Sequence, residues 1–243
     1  MRPFLLLTIR AEDDAASEEY AAMLRFSHLQ PGELQRIRLE REPLPPIDLD
    51  DWSGVILGGG PYNASDPEST KSPEQVRTEQ GLSALLDEVV ARDFPFLGCC
   101  YGIGVLGNHQ GGVVDRTYGE PIGAVTVSLT EEGRRDPVFG SLPAEFDAFL
   151  GHKEAIRDLP PSAVRLAGSA RCPVQAFRVG SNVYATQFHP ELDVPGLCTR
   201  IDAYRHHGYF EPHEADALKD AARQHVVSHP PEILRRFVEL HAR

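Results

Sequence analysis

The first two-thirds of the chain alternate short apolar runs with amphipathic stretches. Residues 4–9, FLLLTI, are apolar almost throughout and predict a buried strand. Residues 17–29 carry Tyr20, Met23, Leu24 and Phe26 at roughly helical spacing, and residues 34–40, LQRIRLE, alternate as a half-buried strand does. Residues 54–60, GVILGGG, read as a fully apolar strand that runs out into glycines. Residues 72–93 open on Ser72 and Pro73, a helix-start signal, and hold a long apolar stripe. FPFLGC at 94–99 is another short strand, followed by a Gly-rich helix.

This order predicts an α/β fold: a single domain around a central, mostly parallel, doubly wound sheet with right-handed crossovers. From about 122 to 187 the pattern shifts to short strands, IGAVTVSL, EFDAFLG, AVRLAGS, VQAFRV and NVYATQF. From about residue 197 it becomes helical, an extension ending in PEILRRFVELHAR. In such sheets the chemistry collects where loops leave the carboxyl ends of strands.

Composition narrows the field. A chain of 243 residues can bury a sizeable core, and residues 1–243 read as one domain. A net charge of −12 argues against a nucleic-acid backbone as partner. No run approaches the roughly 18 apolar residues of a membrane span, and the N-terminal apolar run is too short for a signal peptide. Cys99, Cys100, Cys172 and Cys198 match neither a disulfide framework nor a paired C-x-x-C zinc pattern, so a reducing, cytoplasmic setting without a metal is expected. His206, His207 and the C-terminal histidines lack partners at ligand spacing and read as surface. There is no G-x-x-x-x-G-K-[ST], which leaves a phosphate loop unsupported.

The side-by-side cysteines carry the chemistry. Gly98-Cys99-Cys100-Tyr101-Gly102 fits G-x-C-x-G only with Cys100 at the centre. This is the cysteine form of the nucleophile elbow, a strained strand-to-helix turn that projects one side chain between small neighbours. It sets the sulfur at a helix N-terminus, where the dipole favours negative charge. Cys99, one residue earlier in the strand, is expected to face the core as a small hydrophobe. A thiolate nucleophile needs a base, and the base needs an orienting group. YATQFHPEL at 184–192 offers both: His189 should emerge at a strand end, and Glu191 should share its side of an extended segment held by Pro190.

GVILGGGP (54–61), FLGCCYG (96–102) and QFHPE (187–191) resemble, in order and spacing, the three signatures of class I, triad-type glutamine amidotransferases. GGGPYNASDPE and the HGYF segment are similar to stand-alone proteins related to the glutaminase domain of GMP synthase. The resemblance implies a flavodoxin-like fold, no cofactor, Cys100 as nucleophile, His189 as base and Glu191 as its orienter. The implied reaction is hydrolysis of the glutamine side-chain amide through a γ-glutamyl thioester, releasing ammonia. A tetrahedral intermediate needs two N–H donors. One is the amide of Tyr101, directly after the nucleophile; the likeness points to Gly60 for the other, with Gly59 beside it. GHKE at 151–154 resembles the segment that lies near the glutamine backbone, making His152 and Glu154 candidate substrate contacts, with Gly59 and Gly104 completing the substrate-binding set the resemblance implies.

The sequence departs from the pattern at Gly104, where family members commonly carry glutamine; Gln110 lies six residues further on. This departure motivates a second reading, a γ-glutamyl hydrolase acting on another amide or peptide with the same triad. A third is a catalytically silent binding module that kept the fold. The roughly 50 residues after the His-Glu motif are too few for a synthetase nucleotide site. The expected partners are therefore a small-molecule substrate and, for an amidotransferase, a separate ammonia-accepting synthetase.

Overall fold

Nine strands share one sheet in the computed structural model, which describes residues 2–243. In chain order the elements are β1 (Phe4–Thr8), α1 (Asp13–Ser27), β2 (Leu34–Arg38), β3 (Gly54–Leu57), α2 (Pro73–Ala91), β4 (Phe96–Cys99) and α3 (Tyr101–His109). Then come β5 (Val113–Asp115), β6 (Glu120–Leu129), α4 (Glu131–Arg135), β7 (Glu145–His152), β8 (Ala155–Asp158), β9 (Ala163–Ser169), β10 (Ala176–Val179) and β11 (Val183–Thr186). Helices α5 (Val194–Ala203), α6 (Ala215–Arg223) and α7 (Pro231–His241) complete the described chain. The sheet order is β2-β1-β3-β4-β11-β10-β9-β6-β7. The first five of these strands run parallel, and the remaining four are added antiparallel. The site sits on the parallel block.

Alternation along β1 explains why both faces of the sheet are covered. Phe4 and Leu6 point into a core shared with Met23 of α1 and Phe237 of α7. Leu5 and Leu7 point into a second core with Leu82 and Leu86 of α2 and Ile103 and Leu106 of α3. A strand buried on both sides reads as a continuous apolar run, as residues 4–8 do. A third cluster joins Phe149 of β7 to Leu192, Leu197 and Ile201 at α5 and to Ala215 and Ala222 of α6.

Several boundaries moved. The helix expected over 17–29 begins four residues earlier, with Asp13 and Asp14 in its first turn, where carboxylates meet the positive end of the helix dipole. The strand expected over 34–40 is the edge strand β2 and ends at Arg38. Ser72 does cap α2, accepting a hydrogen bond from the Gln75 N–H at 3.2 Å. The short strands β5 and β8, which pair with each other, escaped the sequence reading because three or four residues hold no periodicity. His206 and His207 are exposed as expected. His241 is not: it lies half-buried with its ring 4.9 Å from that of Phe237, because α7 packs this turn onto the core.

Candidate active site

Four adjacent parallel strands, β1, β3, β4 and β11, end at one edge of the sheet, so their carboxyl-terminal loops converge. These loops deliver Arg10, Gly58 to Gly60, Cys100, and the segment from Gln187 to Glu191. Cys100 sits between β4 and α3 with φ 54 and ψ −95, a left-handed conformation that costs a non-glycine residue on the order of 1–3 kcal/mol. Its N–H donates to the Thr186 carbonyl at 2.8 Å and its carbonyl accepts from the Ile103 N–H at 3.1 Å, which hold the turn. The glycine requirement is one-sided. A Cβ on Gly98 would lie 2.9 Å from the backbone of Gly102, whereas one on Gly102 would meet nothing closer than 3.4 Å. Cys99 is fully buried and free, and burial pushes its thiol pKa well up.

His189 lies three residues beyond β11. Its segment is a turn rather than the extended stretch expected, with the Leu192 N–H donating to the His189 carbonyl at 3.3 Å. The turn still brings Glu191 back: His189 Nδ1 is 2.9 Å from Glu191 Oε1. A Cβ on Gly59 would fall 2.5 Å from His189 Cε1 and 3.1 Å from Cys100 Cβ, so imidazole and sulfur flank the same bare backbone. Burial lowers the His189 pKa, but the Glu191 carboxylate and the Cys100 sulfur outweigh it, and the net direction is up; Arg200 opposes them. Burial works against ionisation of Glu191, yet His189 and Arg200 hold it well below the usual carboxylate range.

The sequence reading missed Arg200. From α5, buried, its Nη2 donates to Glu191 Oε1 at 2.7 Å and its Nη1 lies 3.0 Å from His189 Nδ1. Two donors cannot share a bond, so Glu191 and Arg200 compete for Nδ1. The carboxylate keeps a proton there and leaves Nε2 bare for the thiol; the guanidinium favours the opposite tautomer. Behind this pair lies another, Arg10 Nε donating to the fully buried Glu19 at 2.9 Å, with Arg10 Nη1 donating to Tyr204 Oη at 3.0 Å. Arg200 is also 3.7 Å from Glu19. No local motif links residues 10, 19, 191 and 200; only the strand ends and α5 bring them together.

Gly60, Cys100 and Tyr101 line one cleft with His152, Glu154 and Lys153. The first N–H groups of α3, Tyr101 leading, have no intrahelical acceptor. Glu154 accepts from the N–H groups of Ala64 and Ser65, each at 2.7 Å, and burial raises its pKa despite these bonds. A Cβ on Gly104 would lie 2.9 Å from Glu154 Oε1. The carboxylate thus occupies the space a side chain at 104 would need. Gln110 is turned away, bonded to His109. His152 is spent on structure: Nδ1–H donates to the Glu154 carbonyl at 2.8 Å, and Nε2 meets Glu120 Oε2 at 3.1 Å. Among the described residues, Glu120, His152 and Cys172 bring ligand atoms within 4.8 Å of one another. Glu120 and His152 already contact each other directly and burial pushes the Cys172 thiol up to about 12, which suits a side-chain hydrogen bond better than a cation.

A family model, "Glutamine amidotransferase class-I", matches residues 32–195, which include Cys100, His189 and Glu191. The chain belongs to that family. This amidotransferase domain is 34% identical over 157 residues to a glutamine-hydrolyzing GMP synthase of Thermomicrobium roseum, covering 61% of this chain but only 26% of that protein. It is 29% identical over 151 residues to one subunit of the glutamine-hydrolyzing GMP synthase of Thermococcus kodakarensis, covering 62% of this chain and 72% of the relative. A crystal structure of a glutamine amidotransferase from Thermotoga maritima shares the fold at TM-score 0.76 and 23% identity, covering 99% of this chain and 98% of that one. The family match ends before Arg200 and begins after Arg10 and Glu19. No helix among the described residues is long and apolar enough to cross a membrane.

Proposed function

We propose that residues 1–243 form one glutaminase unit, with helices α5 to α7 as its extension, that hydrolyses the side-chain amide of glutamine at Cys100. The observation that carries this reading is the left-handed Cys100 elbow facing a His189 already bonded to Glu191. His189 takes the thiol proton, and the sulfur attacks the γ-carbonyl carbon. The Gly60 and Tyr101 N–H groups receive the oxyanion. As the C–N bond breaks, His189 returns the proton to the nitrogen and ammonia leaves. Water, deprotonated by the same imidazole, then cleaves the thioester to give glutamate and free thiol. Glu191 orients the imidazole and stabilises its protonated form.

The acyl part fits the cleft beside Gly60, where Lys153 and Glu154 offer opposite charges to an amino-acid head and Gly104 leaves room for the Glu154 carboxylate. His152 positions Glu154 through its carbonyl. The names of the curated relatives suggest a synthetase that accepts the ammonia. Four free cysteines fit a reducing cytoplasm. The test is incubation with glutamine and a reactive diazoketone analogue of it. Ammonia release and an adduct on Cys100, both lost in Cys100→Ala, are expected; unchanged ammonia release in that variant would end the proposal.

A further inference from the structure

Two cavities meet at Cys100, and they differ in kind. Both are lined by Gly60, Cys100, Gly151 and Tyr209. The polar one adds Tyr101, Lys153 and Glu154 but not His189. The other, a small cavity with about 50 Å³ open to the centre of a water-sized sphere, adds His189 and a wall of Ile122, Leu150, Leu192, Leu197, Ile201 and Tyr204.

The chemistry assigns the halves. The acyl carbon must sit beside the oxyanion donors, and the departing nitrogen must face the imidazole that protonates it. The nitrogen and whatever it carries therefore project into the apolar cavity. Ammonia alone has no use for such a wall. The two guanidinium groups there are already matched, Arg10 by Glu19 and Arg200 by Glu191, so the cavity offers no spare cation to a carboxylate on the leaving group. Leu197, Arg200, Ile201, Tyr204 and Tyr209 all come from beyond the family match at 195, so this chamber is closed by residues outside the matched segment.

Resting on the Cys100 reading, we infer that the favoured substrate is a γ-glutamyl amide of a small apolar primary amine, R–NH–CO, whose alkyl group fills this cavity. The bond changes are those of glutamine hydrolysis, with the protonated leaving group departing as R–NH2 instead of ammonia.

The test measures kcat/KM by glutamate release for glutamine and its γ-N-methyl, ethyl and isobutyl amides. Each buried methylene is expected to add roughly threefold to fourfold, so the isobutylamide exceeds glutamine at least tenfold. Ile201→Trp and Leu197→Phe, either one sufficing if the other misfolds, should cut the isobutylamide-to-glutamine ratio tenfold or more. Glutamine outrunning every alkylamide, or an unchanged ratio in a folded variant, overturns the inference while leaving Cys100 chemistry intact. So does γ-glutamyl-leucine outrunning the isobutylamide, which would mean a carboxylate finds Arg10. No glutamate from any amide and no adduct on Cys100 would instead bring down the hydrolase reading, and this inference with it.

Discussion

Replacing Arg200 with Met tests whether a buried cation tunes the base. The guanidinium lies 3.0 Å from His189 Nδ1 and 2.7 Å from Glu191 Oε1. At that separation and an effective dielectric near 20, the repulsion between it and a protonated imidazole is roughly 5 kcal/mol. The guanidinium charge is spread over three nitrogens, which reduces this figure. The sign is upward: Arg200 opposes protonation of His189, so its loss lets the ring hold its proton to higher pH. In Arg200→Met the His189 Cε1–H signal, followed by NMR, should titrate at higher pH than in the wild type. Amide hydrolysis near neutrality should fall, because a doubly protonated ring cannot accept the Cys100 proton. Glu191 would keep only His189 as partner, so stability should drop by about 3 kcal/mol, the low end for a broken buried pair. Arg200→Lys should restore much of the titration. A lowered melting temperature with an unmoved His189 titration would refute the tuning role and leave Arg200 as packing alone.

Gly98→Ala should cost about 1–3 kcal/mol in denaturant unfolding and slow alkylation of Cys100 by iodoacetamide, since the new methyl meets the Gly102 backbone at 2.9 Å; an unchanged midpoint and rate would count against the elbow geometry. Phe237→Ala, which removes a fully buried ring 6.1 Å from Phe4, should cost roughly 3–5 kcal/mol, and a loss under 1 kcal/mol would show that α7 is not part of the core. Burial lowers the His241 pKa to about 4 from its ordinary 6.5, so the unfolded chain binds the extra proton first. Stability should therefore be full above about pH 6.5 and decline as pH falls towards 4. His241→Phe should flatten that slope, and an identical pH dependence in the variant would exclude the group.

Where a feature depends on contiguous residues, it was legible before any coordinates. The apolar runs at 4–8 and 54–57 became buried parallel strands because such runs satisfy a strand covered on both faces. The spacing around Cys100 announced a bend because only a glycine at 98 lets the backbone of 102 approach, and that constraint is local. His189 and Glu191 are two residues apart, so their meeting survived even though the backbone between them turned instead of extending. Gly104 read as a gap in the substrate grip, and only the fold showed the Glu154 carboxylate, fifty residues on, filling it. Arg10, Glu19 and Arg200 left no trace in the pattern, because charges from β1, α1 and α5 share no period or spacing. Their contacts exist only once parallel strands end at one edge and α5 closes over it. The apolar chamber beside His189 has the same origin: its walls come from six separate stretches of chain, and an enclosed volume is a property of their packing, not of any one of them.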